Sequence, residues 1–457
     1  MSETGRAGEA FFVVGSSQTA QYPCRVCRSQ DTRHFLDVAM PYFKKGDERL
    51  ALFECRSCGS YFYDGANPAS AYTEMEPGDE FWLDYVQAGA GISSMLAPLF
   101  AIDPLPAGCL LDIGCGFGFV VDFWRSRGGR AIGLEPSSYG ALGRDKLGAD
   151  IRSVYLAEFI DKNEGPRFDV VFSSEVIEHT PDPNDFVEEL TSAVAPDGMI
   201  VLTTPSTAAI SPQVDKSTLI AALSPGFHYA IISPGILQDF FVRRGFQCRV
   251  ETVGHQTIAW ASRKSLPSIE PSRTAWPRYL DYLETLVDKQ DVHLSTGALA
   301  RLFKDALNTG DSARATLAYD RLYAAARQHY GIDLESPEIG ELLAMREPLS
   351  GLRRFPSWLG GTLLFGALHV GHSRNDRRKK LRMLDAALQV LRRRAEVDFQ
   401  FGQEAAHFLP FAERQYIIGL SEALTVSLNG LAKPVQNDLR HTLHHLRPVI
   451  QSFLEAQ

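Results

Sequence analysis

Several groups of residues in this chain of 457 have types and spacings that chemistry can use. Glu175-x-x-Glu178-His179 sets two carboxylates and an imidazole at i, i+3 and i+4, positions that share one face if the segment is helical. His228, in PGFHYAIISPGILQDFF, offers a second imidazole, so His179 and His228 are candidate general bases with Glu178 beside them. Cys24-x-x-Cys27 and Cys55-x-x-Cys58 are two thiolate pairs that can turn four sulfurs toward one zinc ion. With all four positions filled by sulfur such a site is structural, not catalytic. The alternative is free or redox-active thiols. A third group, Gly114, Gly116 and Gly118, follows an apolar run that ends at Asp112.

These residues need elements to hold them. LLDIGCGFGFVV reads as a buried strand, a tight glycine turn and a helix, the form in which main chain and helix N-terminus come close to a nucleotide. RAIGLEPS is a second strand that carries Glu135 at its end, 21 residues after Gly114, near the spacing at which an acidic side chain accepts from ribose hydroxyls. FDVVFSSEVIEH gives a strand from Phe168 to Ser173 running into a polar turn. LTSAVAPDGMIVLTTPS gives a helix stopped at Pro196–Gly198 and a strand from Met199 to Thr204. GFQCRVETVGHQTIAWASR closes the series with an antiparallel hairpin. His255, at the turn of that hairpin, reads as a surface or packed residue, and Ser206 to Pro225 as a long binding loop.

The order and spacing of these motifs, across about residues 85 to 263, resemble the class I S-adenosylmethionine-dependent methyltransferases. The resemblance implies an α/β fold with a Rossmann-like seven-stranded core. It places the main chain of Asp112, Gly114, Cys115, Gly116 and Gly118 beside the methionine part of the cofactor, Glu135 on its ribose and Glu158 toward the adenine. Ser174 and Glu175 then stand where the cofactor's amino-acid end meets the acceptor. CRVC, ECRSCG and YFY, across about residues 22 to 75, resemble the N-terminal zinc-binding segment of bacterial methyltransferases linked to sugar, polysaccharide or antibiotic-sugar synthesis. Glu175, Glu178, His179 and His228 resemble the divalent-metal site of small-RNA 2′-O-methyltransferases, and the first three that of ubiquinone-pathway O-methyltransferases. This implies Mg²⁺ or Mn²⁺, since carboxylate and imidazole with open positions suit such ions. Glu-His ahead of Pro-Asp-Pro is also widespread in relatives without a metal, which leaves open a metal-free His179 at the active site or a structural role.

Length suggests two or three domains. The expected division is a zinc ribbon at 1–75, a methyltransferase core at 76–263, a Pro- and Ser-rich linker at 264–277 and an α-helical domain at 278–457. In the last, Leu299, Leu302, Phe303, Ala306 and Leu307 share a helical face, as do Leu317, Leu322 and Tyr323, and Leu381, Leu384, Leu388 and Leu391 repeat the spacing. Tyr72, Phe81, Trp82 and Tyr85 are candidates for a substrate pocket or for core packing. The charge of −9 argues against a general nucleic-acid binder. The absence of a signal segment or of an apolar run near 20 residues, together with the paired cysteines, leads to an expectation of a cytoplasmic protein. The basic stretches Arg374–Lys380 and Arg392–Arg394 read as a solvated face or as a docking site for an acidic partner, leaving room for a protein partner of the helical domain. The function expected from the resemblance is O-methylation of a sugar or glycan-linked small molecule. The alternatives are C-methylation of a nucleotide-linked keto sugar and a cofactor-binding scaffold without catalysis.

Overall fold

The structure is a computed structural model that describes residues 12–13, 22–39, 49–63, 79–89, 91–162, 168–211, 214, 216–270, 275–345, 351–373, 376–397 and 403–428. The chain between Ala39 and Arg49, where the sequence has a polar turn at Lys44–Glu48 suited to a hairpin tip, lies outside them, as do Tyr72, Arg374 and the side chain of Phe81. The chain divides into two compact units, Met1–Pro77 with Gly91–Tyr282, and Gly78–Ala90 with Leu283–Gln457.

In the first unit, β1 (Phe12–Val13), β2 (Thr32–Ala39), β3 (Arg49–Cys55) and β4 (Tyr61–Tyr63) form an antiparallel sheet. The two cysteine pairs sit in the turns before β2 and between β3 and β4. A short β5 (Ile102–Asp103) follows helix Ile92–Phe100. Next come β6 (Cys109–Ile113), β7 (Arg130–Leu134), β8 (Ile151–Arg152), β9 (Phe168–Ser174) and β10 (Val194–Pro205), parallel neighbours joined by helical crossovers. Their residues are near-continuous apolar runs because parallel strands are covered on both faces. Then β11 (Ala230–Ile231) leaves the core to pair with β4, aligning Ala230 with Phe62 and Ile231 with Tyr61. Finally β12 (Gln247–Val253) and β13 (Gln256–Ser262) form the expected hairpin, turning at Gly254 with φ +59°.

The large sheet runs β12-β13-β10-β9-β6-β7-β8. From β6 the chain winds outward to β8 and then returns to the other side of β6 with β9. A crevice therefore opens beyond the carboxyl ends of β6 and β9, where open α/β sheets bind their ligands. The glycine turn and the Ser174–Glu175 turn leave the sheet at that point.

Local details differ from the sequence reading. The strand expected from Met199 begins at Val194, with a register break before Met199 that takes in Pro196–Gly198. Gly198 is needed there, since a Cβ would lie 2.8 Å from the Phe168 carbonyl oxygen. The loop expected at 206–225 contains a 3₁₀ turn, Thr207–Ala209, and helix Lys216–Leu223, whose KSTLIAAL has no one-sided apolar pattern to reveal it. The stretch read as linker carries β14 (Ser268–Ile269), paired with β5.

The second unit is helical. Helix Val292–Asn308 packs on Ser312–Ala325 and on Asp79–Ala88, a helix that the sequence boundary at 76 had grouped with the core. Gly297 allows the close approach, because a Cβ there would lie 2.6 Å from the Val86 oxygen. Leu359–Ser373, Arg377–Val397 and Gln403–Leu428 stack in sequence. Leu299, Leu302, Phe303 and Ala306 are buried as expected, but Leu317 is 63% exposed, so its helix rests on Ala315, Ala318, Tyr319 and Leu322 instead. The basic stretches are largely tied down: Lys379 to Glu335, Lys380 to Glu422 and Arg392 to Glu413. No helix among the described residues is long and apolar enough to cross a membrane.

Candidate active site and cysteine centre

The turn after β6 holds Gly114, Gly116 and Gly118 at φ +67°, +52° and +86°, a region that side-chain-bearing residues rarely adopt. Packing adds to the requirement, since a Cβ on Gly118 would lie 2.7 Å from Ile151 Cδ1. Glu135, buried at the end of β7, closes over the turn. Its Oε2 accepts from Gly116 N at 2.9 Å and its Oε1 from Ser137 N at 2.9 Å. Each bond uses one lone pair of each oxygen, and an ionised carboxylate has about four acceptor sites, so a second remains on each. Asp112 is 2% exposed, and burial, reinforced by the charge of Glu135, pushes its carboxyl well up. Cys115 turns its thiol inward against β7, where a Cβ on Gly133 would meet Sγ at 2.4 Å, so only its main chain belongs to the turn. Glu158 is exposed in helix Leu156–Lys162.

At the end of β9 the structure departs from the helical reading. Glu175 adopts φ +56°, and only Ile177–His179 is helical, as a 3₁₀ turn. Glu175 therefore leaves the face shared by the other two. Its Oε1 is held by Thr203 Oγ1 at 3.0 Å and Gln256 Nε2 at 2.8 Å, while Ser174 Oγ pairs with Thr203 Oγ1 at 2.8 Å. Glu178 is fully buried, with its carboxyl beside that of Glu175. Its Oε2 accepts from Thr204 Oγ1 at 3.0 Å, and its Oε1 has no hydrogen-bond partner among the described residues.

His179 and His228 converge on that oxygen. The rings are edge to face with centroids 4.7 Å apart, and His179 Nε2 lies 4.0 Å from Glu178 Oε1, too long for a hydrogen bond. His179 Nδ1 lies 3.0 Å from the Phe227 carbonyl oxygen and His228 Nδ1 2.9 Å from that of Ala222. A carbonyl can only accept, so both imidazoles carry their proton on Nδ1 and a lone pair on Nε2. Burial favours the neutral rings, pushing His179 down to about 4 and His228 well below its usual value. Burial also pushes Glu178 well up, with the nearby Glu175 charge adding to it. One oxygen of Glu178 and one nitrogen of each histidine come within 4.8 Å of one another. Tyr229 N donates to the Glu178 carbonyl at 2.7 Å and so ties the two segments together. His255 is exposed at its hairpin tip and takes no part.

The four cysteines form a compact centre. Cys24 Sγ lies 3.8 Å from Cys58 Sγ and Cys27 Sγ 3.5 Å from Cys55 Sγ, with all four sulfurs inside 4.8 Å. A regular tetrahedron with Zn–S bonds of about 2.3 Å has edges of about 3.8 Å, so the arrangement is compatible with one zinc ion. The hydrogen bond between Cys24 and Cys58 pushes the Cys58 thiol down to about 5 and that of Cys24 up. Ser233 binds this centre to the core, donating from Oγ to Cys58 O and from N to Ser60 Oγ at 2.9 Å.

Thr203, Thr204, Gln256 and the carbonyls of Ala222 and Phe227 escaped the sequence reading. Their roles depend on strand register and on a loop path, and no local motif announces either.

Residues 87–250 match the family model of a methyltransferase domain. A ubiquinone biosynthesis O-methyltransferase of Rhodopseudomonas palustris is 38% identical over 101 residues, which are 21% of this chain and 39% of that protein. A tRNA U34 carboxymethyltransferase of Pseudoalteromonas translucida is 29% identical over 198 residues, covering 38% of this chain and 58% of that one. The match thus spans less than two thirds of either relative. Among solved structures, the plantazolicin methyltransferase BpumL in complex with SAH aligns with 43% of this chain and 93% of its own at 11% identity and a TM-score of 0.35. Magnesium protoporphyrin IX methyltransferase from Synechocystis PCC 6803 with bound SAM aligns with 44% and 99% at 15% identity and a TM-score of 0.32.

Proposed function

We propose that the class I S-adenosylmethionine-dependent methyltransferase domain in this chain methylates a hydroxyl oxygen of a small acceptor, with Glu178, His179 and His228 as ligands of a divalent cation. The observation that carries the proposal is the unpartnered, fully buried Oε1 of Glu178 facing two imidazoles that are both locked to present Nε2. A second hydrogen bond on Nδ1 is the usual means of orienting a metal-binding histidine. Mixed oxygen and nitrogen donors with open positions suit Mg²⁺ or Mn²⁺, and an ion there would hold the acceptor hydroxyl and lower its pKa.

The chain's other residues bind and orient. Glu135 keeps one lone pair on each oxygen for the ribose hydroxyls, and the glycine turn brings main chain close to the methionine part. Glu175, exposed at the crevice with one oxygen fixed by Thr203 and Gln256, stands with Ser174 where the acceptor meets the cofactor's amino-acid end. In-line displacement at a sulfonium depends on holding nucleophile and methyl carbon collinear, so positioning supplies much of the rate. The cysteine centre carries structural zinc in this reading. It steadies β4, whose pairing with β11 fixes the strand that begins two residues after His228.

Similarity to a ubiquinone biosynthesis O-methyltransferase supports oxygen as the acceptor atom. A sugar or glycan-linked alcohol is the acceptor class we carry forward from the sequence resemblance. Mass spectrometry for a 14-dalton gain across a panel of sugar and phenolic alcohols, with Mn²⁺ present or withdrawn, tests the proposal. Metal-dependent gain on an alcohol supports it. Undiminished turnover without divalent metal removes the metal part, and failure to bind S-adenosylmethionine removes all of it.

A further inference from the structure

The helical unit contains a cavity that methyl transfer does not use. It lies at the N-terminal end of helix Leu359–Ser373, where Gly360, Gly361 and Thr362 line it together with Ser357 and Trp358 just before the helix. The space measures about 70 Å³. One water needs roughly 10–15 Å³ on this measure, so the cavity suits a few waters or one compact polyatomic ion.

The lining carries Arg301, Lys304 and Arg394 against a single carboxylate, Asp84. That local excess is opposite in sign to the charge of −9 on the whole chain. Both guanidinium side chains are buried, Arg301 at 6% and Arg394 at 4% exposure. Main-chain oxygens fix their orientation: Arg301 Nη1 donates to Val86 O at 3.3 Å and Gln87 O at 3.2 Å, and Arg394 Nη2 to Phe355 O at 2.7 Å. Lys304 Nζ rests 5.6 Å from the centre of the Phe408 ring and 3.9 Å from Asp305 Oδ1.

Two neutral donors complete the set. Trp358 Nε1 and Ser357 Oγ are enclosed and have no hydrogen-bond partner among the described residues. Trp358 is 6% exposed and held edge-on by Tyr330, with centroids 5.6 Å apart, and an indole N–H can only donate. A buried donor left unpaired is costly, so the group that completes this site must accept. In the first turn of the helix Leu359 N and Thr362 N donate to Pro356 O and Trp358 O, which leaves the Gly360 and Gly361 amides, and the dipole favours negative charge at this end.

We propose that this cavity binds a small oxyanion, a phosphoryl or carboxylate group, on the Trp358 indole N–H, the Ser357 hydroxyl, the first turn of Leu359–Ser373 and the surrounding cations. The site is independent of the methyl-transfer reading. Calorimetric titration of the full chain with inorganic phosphate and, separately, acetate, at constant ionic strength made up with NaCl, tests it. Saturable binding at one site per chain is expected, and the tighter of the two ions identifies the class. Trp358→Phe, which keeps the ring and removes the donor, should weaken binding about tenfold or more, as expected for a lost hydrogen bond to a charged group. Lys304→Gln, at a partly exposed position that tolerates change, should weaken it as well. Heats no greater than those of chloride overturn the proposal, and so does equal affinity in the parent protein and both variants.

Discussion

Titration of MnCl₂ into the protein should raise its melting temperature, and Glu178→Gln should abolish the rise. The reasoning starts from Glu178 Oε1, which is buried without a hydrogen-bond partner, a condition that costs about 1–3 kcal/mol. An ion bound there and to the two imidazoles removes that cost. An ion that binds only the folded chain adds RT ln(1 + [L]/Kd), about 2.7 kcal/mol at a hundredfold excess over Kd. At about 2–4 °C per kcal/mol for a unit of this size, the rise should be about 5–10 °C. Gln keeps the shape of Glu178 and the contact with Thr204 but removes the anionic ligand, so its melting temperature without manganese should stay within a few degrees of the parent. Differential scanning calorimetry without chelator, so that the proposed zinc at the cysteine centre is not removed, provides the measurement. Equal rises in the parent and Glu178→Gln, or none in either, would refute the assignment without reference to any acceptor.

Three further outcomes are expected. Glu135→Ala should weaken S-adenosylmethionine at least about tenfold in a binding titration, since charge-assisted hydrogen bonds contribute about 1.5–3 kcal/mol each; unchanged affinity would show that the ribose lies elsewhere. Purified protein should contain one zinc per chain by elemental analysis and Cys27→Ser very little, with turnover falling because β4 no longer holds β11 and with it His228; a parent protein free of zinc defeats this. Gly143→Ala should lower the melting temperature despite replacing a mid-helix glycine. The usual gain of about 1 kcal/mol in helix propensity is outweighed, because the new Cβ would lie 2.1 Å from the Phe117 carbonyl oxygen and force apart the helix and the turn it supports. A melting temperature at or above the parent's would mean that the helix shifts without disturbing the turn.

The parallel core was legible because β6, β9 and the second half of β10 are short, nearly unbroken apolar runs, and because Gly114, Gly116 and Gly118 mark a backbone that other residues rarely adopt. What escaped was placement that depends on partners distant in sequence. KSTLIAAL looked like loop because it has no polar face. Leu317 looked like core because spacing alone does not say which of two faces is covered.

The proposed metal cluster shows the same limit more sharply. Reading Glu175, Glu178 and His179 as one helical face brought the three groups near one another but through a helix that does not form, since the left-handed backbone of Glu175 breaks the turn before any helix starts. The two carboxyls nonetheless stay close, Glu175 held by Thr203 and Gln256 and Glu178 by Thr204. Burial pushes both upward, and the Glu175 charge adds to the shift of Glu178, as expected for like charges taken out of water together. The left-handed Glu175 is therefore what turns the chain from the end of β9 into the short turn that carries Glu178 and His179.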